Sequence, residues 1–331
     1  MPTSTAPPLN AARRRSLLRA AGWILAAYVL AKVSVSLARG LSELRDQPLR
    51  GQPRWGMIAL SGAVFLLAHA VLVETWRTVL SCWDEHLPFW SAARVWSVSN
   101  LGRYLPGKIW QIGAMGAMAR ELDVSPIAAS GSALLGTLVN ITAGFVVALV
   151  SGRTLLLQRV PAQLHTLTLV AVAAACAGVL LAPLLIPRLA PVAARVTGRP
   201  VQATLPARAV MYSLVGNLLA WLIYGAAFQL FVAGVLGTAA GGYLTYLAAY
   251  TSSYLIGYIF LFAPAGVGFR ETAMLEFLQL AGLATHPQAA LVTLTSRIWL
   301  TLLEVTPAIL FWAHHRMRRR SPTTDPSDVP T

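Results

Sequence analysis

The sequence predicts an all-α polytopic integral membrane protein of about six full transmembrane helices plus two re-entrant hairpins in an inverted repeat. Three observations carry that prediction. Charged residues make up 11% of the 331-residue chain, against about 25% in a soluble globular protein. Hydrophobic residues make up 56%, with a mean hydropathy of +0.62, which belongs to the membrane class. Finally, the apolar residues gather in runs of about 20, the length that crosses a bilayer as a helix.

Clear spans occupy residues 17–37, 55–73, 127–150, 167–186, 209–236 and 288–312. The first follows Arg13, Arg14 and Arg15 and resembles a secretory signal. At about 20 residues it exceeds the usual apolar segment of a signal peptide, roughly 7–15 residues, and reads as an uncleaved span. Two further stretches are apolar but broken. Residues 90–118 are interrupted by Asn100, Gly102, Arg103, Pro106, Gly107 and Lys108. Residues 243–283 are interrupted by Pro264, Gly266, Gly268, Arg270 and Glu271. Proline and glycine at that density break helices, and irregular backbone at membrane depth needs protein or a water-filled cavity around it. Both stretches therefore predict re-entrant hairpins.

The elements recur in order. Leu17 pairs with Leu167, Trp55 with Ala209, Pro106 with Pro264 and Pro126 with Pro287, at offsets of 150, 154, 158 and 161. Each half, 17–150 and 167–312, reads span, span, broken hairpin, span. Residues 17–312 form one transmembrane domain between a basic N-terminus, 1–16, and a basic tail, 313–331, whose composition predicts disorder.

Net charge is +14. The arginines flank apolar runs, which points to anionic headgroups and cytoplasmic loops and away from nucleic acid. Arg13–Arg15 with Arg19, the 188–208 loop and Arg316–Arg320 are all basic, so the positive-inside rule puts both termini on the cytoplasmic side of a bacterial or archaeal cell membrane. Arg39, Arg45, Arg50 and Arg54 disagree with this scheme. If 243–263 crosses fully, the chain has seven crossings and the C-terminal arginines face outward. With three crossings per half the second half is inverted, and paired interrupted segments then bracket a substrate site.

Ionisable residues at membrane depth are costly and mark function by default. Arg103 and Lys108 flank the first break; Arg270 and Glu271 close the second. With the free N–H groups of broken helices they suit a phosphate; the alternative is non-specific headgroup contact at the interface. In the last span, Arg297 and Glu304 lie seven residues apart on one face. They fit a static ion pair, a gating or proton-coupling pair on the substrate path, or a snorkelling arginine beside a protonated acid. Asn140 and Asn217 suit interhelical hydrogen bonding. His69 reads as packing or interfacial. Cys82 and Cys176 have no metal spacing, no zinc-type His motif occurs, and Gly266-Val267-Gly268 is too short for a dinucleotide fingerprint. No cofactor or metal is expected.

At Asn100–Trp110 (NLGRYLPGKIW) and Pro264–Glu271 (PAGVGFRE) the chain resembles the transmembrane region of lysylphosphatidylglycerol synthase. This is the flippase-like domain of multiple peptide resistance factors and their stand-alone relatives. The resemblance covers roughly residues 17–312. It implies a lipid flippase, and in full-length relatives an aminoacylated phosphatidylglycerol made by an attached soluble domain. Here about 19 residues follow the last span, so the expectation is a non-enzyme without that synthase domain. Stand-alone relatives imply a polyprenyl-phosphate-linked lipid or another anionic lipid, and a separate synthase or glycosyltransferase as partner. The expected function is movement of an anionic phospholipid or lipid-linked glycan across the bilayer. The alternatives are a membrane-embedded lipid-modifying enzyme and a non-catalytic lipid-binding subunit.

Overall fold

A computed structural model describes residues 51–104, 109–154, 162–197, 204–260 and 266–320, with residues 34–35, 38–39 and 42–43 besides. The expected first span at 17–37, the Arg13–Arg19 cluster, Pro106, Gly107, Lys108, Pro264 and the tail from 321 lie wholly or mainly outside those residues. The described residues form nine α-helices, one 3-10 turn and no strand. In order these are α1 (Trp55–Ser81), α2 (Phe89–Asn100), a 3-10 turn (Leu101–Tyr104), α3 (Ile109–Arg120) and α4 (Pro126–Ser151). There follow α5 (Ala162–Thr197), α6 (Ala207–Leu236), α7 (Tyr243–Ile259), α8 (Phe269–Leu280) and α9 (His286–Arg320).

Five of these helices, α1, α4, α5, α6 and α9, contain segments long and apolar enough to cross a membrane. The chain is a helical membrane protein. Each of the five extends past its apolar run. The predicted span 55–73 becomes Trp55–Ser81, and 288–312 becomes His286–Arg320. Hydropathy marks only the hydrocarbon-facing part, whereas the helix continues wherever its ends are solvated. On α1 the continuation carries an exposed Arg77–Glu74 pair at 2.6 Å, spaced to meet on one helix face.

The short helices are explained by length. At 1.5 Å per residue, the 12 residues of α2, α3 and α8 each reach about 18 Å, short of the ~30 Å hydrocarbon core. None crosses alone. The 17 residues of α7 stand at the lower limit for a span. α2 packs on α3, and α7 on α8, so the two helices of each broken stretch lie against one another. The sequence puts 264–271 in the second break; in the structure Phe269, Arg270 and Glu271 instead open α8. A capping acid at Glu271 fixes that start: its Oε2 accepts from the Gly268 N–H at 2.7 Å.

α6 is the central span. It packs along α1, where Gly216 receives the Thr75 side chain directly against its Cα and Gly234 receives Ile58. Small residues at such crossings let the backbones close up in the absence of a hydrophobic driving force. The Arg54 N–H donates to Gly234 O at 2.7 Å and pins the start of α1 to the end of α6. Rings then join three spans: Phe65 of α1 lies 4.8 Å from Tyr224 of α6 and 5.2 Å from Trp299 of α9, and Phe231 lies 4.6 Å from Trp299. The first two are tilted and edge contacts and the third is stacked, all at separations usual for packed rings. α5 is the opposite case, with Leu169, Val170, Leu180 and Leu184 all exposed; an apolar face of that extent suits lipid chains.

Pro126 and Pro287 both sit at helix starts, as the collinear landmarks require. Pro126 is the first residue of α4, behind a Ser125 hydroxyl that accepts from the Ala128 N–H at 3.4 Å. Pro287 is the second residue of α9, and Gln288 Oε1 accepts from the Thr285 N–H at 3.1 Å. Proline is tolerated there because its missing N–H had no partner in the helix.

Candidate functional site

Both breaks turn inward on glycines whose missing Cβ makes room for backbone. A Cβ on Gly102 would stand 2.7 Å from the Gln111 N, so the 3-10 turn lies directly on the first turn of α3. Gly266 has φ +69°, and a Cβ there would meet Gly257 O at 2.6 Å. The second break is thus laid on the end of α7 in a conformation that glycine alone adopts without strain. Arg103, beside the first break, and Arg270, at the start of α8, stand in the walls of two neighbouring cavities beside α9.

Arg103 donates from Nη1 to Glu304 Oε1 at 2.9 Å, and from Nη2 to Asn100 Oδ1. The Tyr104 hydroxyl donates to Glu304 Oε2 at 2.9 Å. Both oxygens of the buried Glu304 carboxylate are therefore engaged by the first break. Arg297, about two turns earlier on α9, pairs with Glu271 Oε1 at the start of α8 at 3.3 Å. With Glu304 held by Arg103 and Arg297 by Glu271, α9 carries one charge to each broken stretch. The reason is spatial. Residues seven apart on a helix are about 10 Å apart along its axis, and each finds a nearer partner across the interface.

Arg270 differs from both. Its side chain is 9% exposed, and its Cζ lies 5.6 Å from the Tyr250 ring centroid and 5.2 Å from that of Tyr254. No carboxylate pairs with it among the described residues, and its Nη2 has no hydrogen-bond partner among them. The Glu271 carboxylate is held by Arg297 and by the Gly268 N–H. The anion position at the start of α8 is likewise filled by the protein's own acid.

Two cavities meet at the Arg103–Glu304 pair. The smaller, about 590 Å³, is lined by Arg103, Arg270, Arg297 and Glu304 with Tyr104, Tyr254 and Tyr258. The larger, about 860 Å³, shares Arg103, Gln111, Tyr254, Tyr258 and Glu304 with it and continues between α1, α2, α4 and α6. Of the residues singled out in the sequence, Asn100, Arg103, Arg270, Arg297 and Glu304 line these cavities. Gly266 and Gly268 shape the second turn, and Glu271 stands behind Arg297. Pro106, Gly107, Lys108 and Pro264 lie outside the described residues.

Several lining residues went unnoticed in the sequence. Tyr250, Tyr254 and Tyr258 recur every four residues on α7, a spacing that puts them on one helix face and was legible. Tyr104 and Gln111 flank the first break but carry no periodic signal. His69 is buried packing, as expected: its Nδ1 lies 3.2 Å from the Tyr224 hydroxyl and its ring stacks near Phe65. Asn140 Nδ2 donates to Asn217 Oδ1 at 2.8 Å, joining α4 to α6. No cluster of three or more metal-ligating side chains occurs among the described residues. No protein-family model and no curated protein sequence matches this chain.

Proposed function

We propose that this chain is a flippase-like lipid transporter that moves an anionic phospholipid or a polyprenyl-phosphate-linked lipid across a bacterial or archaeal cytoplasmic membrane. The carrying observation is Arg270: a buried guanidinium without a carboxylate partner among the described residues, on the wall of a cavity between two helix breaks. A charge in that setting is expensive to keep, and a lipid phosphate is the counter-ion that a membrane supplies. Three guanidiniums, Arg103, Arg270 and Arg297, meet two carboxylates, Glu271 and Glu304, which leaves one positive charge for the ligand. Lys108 of the first break adds to it on this reading.

The two packed pairs, α2–α3 and α7–α8, are read as re-entrant hairpins of an inverted repeat with both termini cytoplasmic. Their short helices, their equivalent order and the proline that opens the following span in each half support that reading. The resemblance to the lysylphosphatidylglycerol synthase transmembrane region supports the same function. Alternating access would exchange the Arg103–Glu304 and Arg297–Glu271 pairs for contacts with the phosphate, since both tie α9 to a break.

The test is flipping in reconstituted liposomes with a fluorescent anionic phospholipid and with a polyprenyl phosphate. Arg270→Ala and Lys108→Ala, each checked for monodispersity, are expected to abolish movement that the wild type supports. Binding without movement would make the protein a lipid-binding subunit, and movement that survives Arg270→Ala would remove the site.

A further inference from the structure

The larger cavity narrows the substrate. Apart from the Arg103–Glu304 pair and His69, its lining is uncharged: indoles of Trp76, Trp96 and Trp221, phenols, amides and hydroxyls. Glu304 has both oxygens engaged by the first break, and His69 is spent on Tyr224. With that pair closed, no free carboxylate on this wall faces an ammonium group. Two donors on the wall are unspent. Trp96 Nε1 is buried without a hydrogen-bond partner among the described residues. The Gln111 carboxamide, at the junction of the two cavities, makes no hydrogen bond among them either. The buried Trp96 N–H without a partner is costly, and a ligand hydroxyl would satisfy it; the half-buried Gln111 amide is a second donor within the same walls.

We infer that the headgroup is a phosphodiester bearing an uncharged polyhydroxyl group, with the phosphate at Arg270 and the sugar or polyol in the larger cavity against Trp96 and Gln111. This rests on the anionic-lipid reading above. The chemistry matches on both sides. A sugar ring has C–H-rich faces and a rim of hydroxyls; indole and phenol rings offer apolar faces with a polar edge. The lipid carrier can be a polyprenyl chain or a diacylglycerol, since both present the same phosphodiester.

The test is binding to the purified full chain in detergent, read by native mass spectrometry and thermal stabilisation. The probes are polyprenyl phosphate, polyprenyl-phosphohexose, phosphatidylinositol, phosphatidylglycerol and lysylphosphatidylglycerol. The hexose- or inositol-bearing lipid is expected to bind at least about tenfold more tightly than its partner with a bare phosphate or a smaller polyol, the effect of one or two well-made hydrogen bonds. Whichever of the two binds names the carrier. Gln111→Leu, close in size, and Trp96→Phe, which keeps an aromatic ring without the N–H, are expected to bring that ratio close to unity. Equal affinity for every phosphate lipid, or tightest binding of the lysyl lipid, overturns the inference and leaves the anionic-lipid reading standing. Binding of no phosphate lipid, with Arg270→Ala indistinguishable from wild type, overturns both.

Discussion

Arg103 and Glu304 are 201 residues apart in sequence and 2.9 Å apart in space, which fastens the first helix break to the last span. The carboxylate is 9% exposed and the guanidinium 22%, so neither charge has much water to fall back on. Removing one partner strands the other, a loss of roughly 3–5 kcal/mol, whereas replacing both with apolar side chains is often close to neutral. Arg103→Met and Glu304→Met are each expected to lower the midpoint of thermal aggregation in detergent. The double variant is expected to regain most of that loss while losing transport. A double variant as unstable as the worse single one would mean that the pair is not the unit holding this contact.

The glycines of the breaks make a second prediction. Gly266→Ala puts a methyl 2.6 Å from a carbonyl oxygen in a positive-φ conformation, and Gly102→Ala puts one 2.7 Å from a backbone nitrogen. Both neighbours are backbone and cannot swing away. Each substitution should cost about 1–3 kcal/mol and reduce the monodisperse fraction on size exclusion. Gly131→Ala and Gly178→Ala are the controls: each lies within a helix with open space where the methyl would go. They are expected to be neutral or to stabilise by up to about 1 kcal/mol.

These pairs show where sequence reading reached and where it stopped. Five of the six expected spans are found as long apolar helices, because hydropathy over about 20 residues reports a solvent, the bilayer, that acts on each span separately. The breaks were legible for the same reason: NLGRYLPGK and PAGVGFRE carry glycine and proline that no intact helix would hold. Partner choice was not. Arg297 and Glu304 share a helix face, but Arg103 and Glu271 reach them across the fold, and nothing local to α9 encodes that. Arg270 was picked out as an anion ligand, yet its stacking on Tyr250 and Tyr254 depends on how α7 packs on α8.

The Asn140–Asn217 contact offers a measurement of polar pairing between two spans. Asn140 Nδ2 donates to Asn217 Oδ1 at 2.8 Å, and Asn217 Nδ2 donates on to Ser213 O at 2.7 Å. Interhelical hydrogen bonds within membranes contribute about 0.6 kcal/mol on average and up to about 1.7. A double-mutant cycle with Asn140→Ala and Asn217→Ala, read by stability in mixed detergent, is expected to give a coupling in that range. A coupling near zero would mean that each amide finds an equal partner once the other is gone. The Trp221 indole is a built-in control, because it donates to the backbone carbonyl of Asn140 at 3.0 Å and should keep that bond in both variants.

Arg270 and Tyr254 give the prediction closest to transport. The guanidinium lies 5.2 Å from the Tyr254 ring centroid and 5.6 Å from that of Tyr250, within reach of both aromatic faces. A planar, delocalised cation can stack there and keep N–H groups free in its plane for a phosphate, whereas an ammonium cannot do both. Cation–π contacts are worth about 0.5–1 kcal/mol when exposed and about 2 or more when desolvated. Arg270→Lys is therefore expected to slow lipid movement by at least about fivefold, although it keeps the charge. Tyr254→Phe retains the ring face and should stay within about twofold of wild type, while Tyr254→Leu should fall toward the lysine variant. If the lysine variant transports like wild type, charge alone suffices at this position and the stacked geometry has no part in holding the lipid.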